Sequence, residues 1–237
     1  MYSENDSTYI RLKNPVKVPL VFFISKKNTE QPLIHYTLKA EFDTTFAFSN
    51  NELSLSEAED VSYNIYIGDP KSLLISDSTT YYFPFPKSQS YKVIQGYNGK
   101  FSHSSGDYSK YAIDFAMPVG DTVSAARDGV VIGIIEDYNI GGKNKKYRPF
   151  ANFITLYHSD ETLTQYVHLK HKGALVSLGD TVKALQPIGI SGNTGFSGSP
   201  HLHFNVLKPV YKSLISFPIK FKSIDGKDLE IGTSYKN

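Results

Sequence analysis

Residues 191–204 read SGNTGFSGSPHLHF, and the fold of the second half of the chain turns on them. Ser191–Pro200 holds three glycines and a proline in ten residues, the mark of a tight, irregular loop that can bring backbone close to a ligand. The loop runs directly into His201-Leu202-His203-Phe204, the start of a predicted strand over Leu202 to Leu207. Side chains at i and i+2 of a strand share a face, so His201 and His203 stand side by side. That spacing suits one metal ligand and one neighbouring acid/base. A bare His-x-His reads equally well as two surface histidines on a sheet; the loop before it is what a plain surface strand would not need.

Upstream, the same period-two texture continues. Val130 to Ile135 is a β-branched run broken only by Gly133. Asn152 to Tyr157 and Thr164 to Leu169 are further strands, with a polar turn at Ser159-Asp160-Glu161. Gly141 to Lys146 reads as a polar loop. Gly-rich turns between short strands, without a long stretch of helical periodicity, predict a compact antiparallel sheet.

Six of the seven histidines lie between positions 103 and 203: His103, His158, His168, His171, His201 and His203. Tyr166-Val167-His168-Leu169 ends a predicted strand, with His168 on the face of Tyr166. Tyr111-Ala112-Ile113-Asp114-Phe115 puts a carboxylate inside an apolar run, which is costly unless it is paired or bound to a metal; the plainer reading is an Asp that bonds a turn. Upstream of it, across a Ser/Gly-rich bend, a hairpin can bring His103 beside Asp114. His158 and His171 read as structural or surface residues.

Residues 8 to about 86 also read as short strands. Ile34, Tyr36, Leu38, Ala40 and Phe42 alternate with polar residues, as do Val61, Tyr63, Ile65 and Ile67, and Pro15 and Pro19 bracket another short strand. The expected class is therefore all-β: a small antiparallel β-sandwich over 1–90, an antiparallel β domain over 91–207, and a strand-containing extension over 208–237 packed on one of them. Phe83 to Ser90, with two prolines followed by polar residues, is the candidate linker.

Composition narrows the chemistry. The chain has 237 residues, a net charge of +2 and no cysteine. Scattered Lys and Arg give no concentrated patch for nucleic acid, and no apolar run is long enough to span a bilayer. Without thiolates, any metal must be held by His, Asp or Glu. The opening MYSENDSTYI lacks the basic and apolar regions of a signal peptide. It reads either as a cytosolic start or as a mature segment beginning at an introduced Met1.

At these residues the sequence resembles the lysostaphin-type (LytM-like) metallopeptidases, a family of peptidoglycan hydrolases. The resemblance rests on YAIDFAMPVGDTVSAARDGVV (111–131), YVHL (166–169) and VSLGDTVKALQPIGISGNTGFSGSPHLHF (176–204), in order and spacing, and covers about 91–207. It implies a small antiparallel β fold with one Zn²⁺ ion in a groove. Asp114 and His203 fall on metal ligands, and His168 and His201 fall beside the reacting centre. The family histidine four residues before the aspartate falls here on Lys110, which cannot ligate, so His103 is taken as the third ligand. Asn152 and Tyr166 are candidates for the groove wall. Three protein ligands leave one position open, as in catalytic zinc.

The implied activity is endopeptidase cleavage of peptidoglycan cross-links or stem peptides by metal-activated water. The implied location is periplasmic or secreted, with the signal peptide removed. Occluding the groove (regulation within the chain), docking a partner and binding wall material are all roles open to residues 1–90. Two rivals stand beside this reading. One is an inactive lysostaphin-like domain that binds cell wall or activates another hydrolase. The other is a structural module whose metal is saturated by a fourth ligand, His201 or His168.

Overall fold

The computed structural model describes residues 2–26, 32–49, 61–68, 79–104, 106–210 and 213–237. They belong to two compact units, Met1–Ser72 and Leu73–Asn237, and both are built of strands, as expected for an all-β chain.

The first unit contains β1 (Tyr2–Glu4), β2 (Ser7–Lys13), β3 (Leu20–Lys26), β4 (Pro32–Leu38), β5 (Asp43–Ser49) and β6 (Val61–Ile67). They form two antiparallel three-stranded sheets, β1-β2-β5 and β4-β3-β6. Ile10 of one and Phe22, Ile24 and Leu38 of the other make a shared core, with Phe46 and Phe48 packed against it. This is the arrangement that alternating apolar residues demand when each sheet has one face to bury.

Three local expectations change. The Pro15–Pro19 segment is a loop, and β4 stops at Leu38. Buried Asn14 sets both ends. Its amide donates to the carbonyls of Val18 (2.8 Å) and Lys39 (2.8 Å), and its Oδ1 accepts from Val16 N–H (3.0 Å). Ala40 therefore lies in a turn and Phe42 is exposed. Tyr63 and Ile65 of β6 are exposed as well, so the apolar positions of that strand are not uniformly a core face.

The second unit runs through β7 (Thr80–Tyr81), β8 (Ser90–Gln95), β9 (Ile113–Ala116), β10 (Thr122–Ser124), β11 (Gly129–Ile135), β12 (Gly141–Gly142) and β13 (Phe153–Tyr157). It continues with β14 (Leu163–Val167), β15 (Leu169–Ala174), β16 (Thr181–Val182), β17 (Pro187–Ser191), β18 (Gly195–Phe196), β19 (Leu202–Val210), β20 (Ser213–Ser216), β21 (Lys220–Phe221) and β22 (Ser234–Lys236). Its frame is a nine-stranded sheet in the order β16-β11-β13-β14-β19-β9-β8-β22, with β20 alongside β19. One face of this sheet buries Ile113, Phe115, Ile154, Tyr166, Leu202 and Phe204 in a single core with Val123, Leu169 and Ile188 of the smaller sheet β10-β17-β15.

The boundary between units lies before residue 83, not at a linker over 83–90. Phe83 and Phe85 are core residues, stacked at 5.6 Å on one another, with Phe83 4.2 Å from Phe221 and Phe85 5.4 Å from Phe115. Pro84 between them sits in a bend closed by Phe85 N–H donating to Phe83 O (2.8 Å), a three-residue turn that brings the two rings together on one side. The C-terminal stretch is likewise part of the unit. Strand β22 pairs with β8, and Asn237 donates to the carbonyl of Phe85 (2.7 Å) and accepts from Phe83 N–H (2.7 Å). Within the extension, Leu229 to Ile231 forms no strand despite its apolar ends, and the chain there follows a short 3-10 turn, Gly226–Asp228. The expected polar loop 141–146 contains β12, followed by a 3-10 helix over Lys145–Phe150. No helix among the described residues is long and apolar enough to cross a membrane.

Candidate functional site

Strand register assembles the site. Across the large sheet, Phe153 faces Val167, Val167 faces His203, His203 faces Asp114, and Asp114 faces Gln95. These residues and His201 line one groove of about 1110 Å³. The neighbours in sequence point the other way: Ile113, Phe115, Leu202 and Phe204 are all in the core. The local patterns Ile-Asp-Phe and His-Leu-His-Phe thus encode which side chains face the groove, through strand alternation alone.

His168 reaches the groove differently. In β14, Tyr166 points into the core while Val167 lines the groove, so continued alternation would turn His168 inward with Tyr166. Instead the backbone enters the left-handed region at His168 (φ 69) and the ring joins the groove. A non-glycine residue held there is strained, and such positions concentrate at functional sites.

The distances define a tight cluster. His203 Nδ1 lies 2.9 Å from Asp114 Oδ1, and His103 Nε2 lies 3.3 Å from the same oxygen and 3.3 Å from His203 Nδ1. One donor atom from each of the three falls within 4.8 Å of the others, a set able to hold a metal ion. His201 Nε2 is 3.9 Å from Asp114 Oδ2, and the ring centroids of His168 and His201 are 4.6 Å apart. The structure therefore brings His103, Asp114, His168, His201 and His203 together.

Backbone carbonyls fix the rings. His103 Nδ1 donates to Gly96 O (2.8 Å), His168 Nδ1 to Thr194 O (2.7 Å) and His201 Nδ1 to Ser199 O (2.8 Å). For His168 and His201 this leaves Nε2 as the free lone pair, while His103 directs Nε2 at the Asp114 carboxylate. Burial alone would raise the Asp114 carboxyl, but hydrogen bonds from His103 and His203 outweigh it and hold it well below the usual carboxylate range. Burial, reinforced by His201 and His203, pushes His168 down to about 3, so it is neutral at pH 7.

One contributor is absent from the sequence reading. The Gln95 amide donates to Asp114 Oδ2 (2.8 Å) and to Ser102 Oγ (2.9 Å), and its oxygen accepts from Phe101 N–H (3.1 Å). It orients the carboxylate and anchors the loop that carries His103. Its only mark in the sequence is a polar side chain at a buried position of an alternating strand, which nothing in the sequence ties to Asp114.

Asn152 and Tyr166, expected on the groove wall, are fully buried instead. Asn152 bridges the Tyr138 backbone, donating to its carbonyl (2.7 Å) and accepting from its N–H (3.0 Å). The Tyr166 hydroxyl accepts from Ala126 N–H (2.8 Å). An interior place for a large aromatic with its hydroxyl satisfied is the ordinary outcome. His171 is exposed on β15.

His158 is structural, with Nδ1 2.7 Å from Asp128 O and Nε2 2.9 Å from Thr164 Oγ1. Burial pushes it from 6.5 down to about 4. Between those values the unfolded chain binds a proton that the folded chain refuses, so stability falls as pH drops from 6.5 to 4. The full loss is of order 3 kcal/mol. Urea midpoints at pH 7 and pH 4.5 check this: the pH dependence should shrink in His158→Gln, and an equal dependence in both proteins would refute it.

Residues 108–214 match the family described as Peptidase family M23. Among relatives, the peptidoglycan DD-endopeptidase ShyB of Vibrio cholerae serotype O1 is 30% identical over 180 residues, covering 69% of this chain and 39% of that protein. Lysostaphin of Staphylococcus simulans is 37% identical over 115 residues, covering 48% of this chain and 21% of that protein. The match thus spans under two fifths of either relative's length. A solved structure, the catalytic domain of lysostaphin from the same species, aligns with 54% of this chain and 82% of its own at 28% identity and a TM-score of 0.36. With its His/Asp cluster on the floor of an open groove, the second unit of this chain is similar, over residues 108–214, to Peptidase family M23.

Proposed function

We propose that this chain is a zinc-dependent endopeptidase that hydrolyses peptide bonds of bacterial peptidoglycan. The observation that carries the reading is the convergence of His103, Asp114 and His203 within 4.8 Å on the groove floor, with His168 and His201 beside them.

In this reading His103, Asp114 and His203 hold the ion. Two imidazoles and a carboxylate, without thiolate, are a donor set of catalytic zinc. The fit is supported by the bond from His103 Nδ1 to Gly96, which leaves Nε2 free to ligate, and by Gln95, which engages Asp114 Oδ2 and leaves Oδ1 toward the histidines. Zinc, when bound, supplies Lewis acidity that acidifies water and polarises a carbonyl. His168 and His201, each with Nδ1 committed to a carbonyl, direct Nε2 toward the substrate. One, with Nε2 unprotonated, takes a proton from the attacking water and delivers it to the leaving amine; the other, when its Nε2 carries a proton, donates to the developing oxyanion.

Relatives named as a peptidoglycan DD-endopeptidase and as lysostaphin support peptidoglycan peptides as the substrate class. That polymer lies outside the cytoplasmic membrane, so we place the chain's work in the periplasm or after secretion. Met1–Ser72 is assigned an accessory role, regulation of the groove within the chain. Under that reading, a truncation that keeps residues 79–90, and so the Phe83 and Phe85 packing, raises the hydrolysis rate.

The deciding experiment incubates zinc-loaded protein, a chelated control and a His201→Ala variant with purified peptidoglycan and follows newly released amino groups. Release is expected from the first alone. No release from protein shown to contain zinc would overturn the endopeptidase reading.

A further inference from the structure

The groove is chemically lopsided. At the β8 end of the floor it is bounded by Ile94 and by Phe101, which is 87% exposed. At the β13 end it is bounded by Lys143 and Arg148. Those two come from residues 139–151, a segment with four cations, Lys143, Lys145, Lys146 and Arg148, and no carboxylate.

The segment is fixed in place. Strand β12 pairs in parallel with β18, Gly195 N–H donates to Ile140 O (2.9 Å), and Ser197 N–H donates to Gly142 O (3.2 Å). The approach is so close that a Cβ on Gly141 would lie 2.2 Å from Asn193 O. The loop before His201 and the cationic loop therefore form one wall. The Arg148 guanidinium lies over the Phe196 ring, 5.9 Å from its centroid, a stacking that orients the fork. The stem of Lys143 passes beside Gly198.

Among the described residues neither cation is in an ion pair with a carboxylate. The carboxylate lining the groove is Asp114, already engaged with His103, His203 and Gln95. Lys145 and Lys146 do not line the groove, and Lys146 lies over Tyr147; those two are an ordinary solvated face. Lys143 and Arg148 differ in facing the same cavity as His168 and His201.

We propose that Arg148, assisted by Lys143, is a specificity-determining subsite that binds a free carboxylate carried by the substrate peptide next to the scissile bond. Charge-assisted, forked bonding from Arg to a carboxylate is strong and directional. The apolar wall at Phe101 cannot offer it, so the subsite also sets the direction in which the peptide lies. A neutral bridge without carboxylates gains nothing from this wall. The inference rests on the endopeptidase reading for its location, and its test separates the two.

The test uses two synthetic cross-bridge peptides that are identical except that one diacid residue beside the scissile bond bears a free carboxylate in one and a carboxamide in the other. Hydrolysis is measured with zinc-loaded full chain, Arg148→Ala, Arg148→Lys, Lys143→Ala and the control Lys145→Ala/Lys146→Ala. Binding is measured in a His201→Ala background. Arg148→Ala is expected to raise KM for the carboxylate peptide by roughly 10- to 100-fold with little change in kcat. The carboxamide peptide and the control variant should be unaffected, and Arg148→Lys should recover part of the loss. Equal handling of the two peptides by the unaltered chain, or an equal loss for both in Arg148→Ala, overturns the subsite. If neither peptide is cut, a carboxylate preference in binding that Arg148→Ala abolishes upholds the subsite and overturns the peptidase reading. Equal affinity for both peptides, including none, overturns the subsite.

Discussion

Replacing Asp114 with asparagine is expected to lower zinc affinity by about 100-fold or more and to abolish hydrolysis at limiting metal. Residues that merely orient a ligand are worth about 10- to 100-fold in metal affinity when removed, and Asp114 is proposed as a ligand. It is also the one anion among three imidazoles: His103, His201 and His203 all approach its oxygens within 3.9 Å. Asparagine keeps the volume and an oxygen for the Gln95 amide but removes the charge. The fold should therefore survive, because the neighbours Ile113 and Phe115, which pack the core, are untouched. Bound zinc per chain after dialysis, measured beside an unfolding curve, checks this. Full zinc occupancy in a folded Asp114→Asn protein would remove Asp114 from the ligand set.

The second large effect is expected at His201. His201→Ala should keep zinc and lose about 10²–10⁴-fold in kcat, the usual worth of a positioned acid/base. Its Nε2 lies 3.9 Å from Asp114 Oδ2, beside the cluster of three and outside it, and its Nδ1 is held by Ser199 O. A loss of zinc in His201→Ala would make it a ligand and favour a metal site closed by four protein groups. His168→Ala is the companion measurement. That ring is neutral at pH 7, being pushed down to about 3 by burial and by His201 and His203, so it enters the reaction able to accept a proton. If the two histidines act on one proton path, the double variant should lose far less than the product of the single losses.

Much of this site could be read from the chain because strand alternation is a local property. Ile113-Asp114-Phe115 and His201-Leu202-His203-Phe204 state which side chains face the core and which the groove, with no knowledge of partners. Their cross-strand pairing, His203 opposite Asp114, was not local, and the family resemblance supplied it. His103 had only a bend and a missing alternative at Lys110 to recommend it; what places it is the Gly96 carbonyl and the loop anchored by Gln95.

The misreadings share a cause. Phe83-Pro84-Phe85-Pro86 has the composition of a linker, yet the bend at Pro84 stacks two aromatics that the core then absorbs. Tyr166 and His168 share a strand face by spacing, but a left-handed backbone at His168 separates them. Asn152 resembles a groove residue in sequence and is spent on the Tyr138 backbone.

The sequence by itself determined the all-β class, the core and groove faces of β9 and β19, and the chemistry of the donors, because period-two alternation and side-chain type are carried residue by residue. Only the tertiary structure decided that Gln95 braces the carboxylate, that His168 turns outward, that the C-terminal strand completes the sheet, and that Lys143 and Arg148 face the same groove as the histidines. Each of these depends on contacts between segments distant in sequence, whose energies no local pattern records.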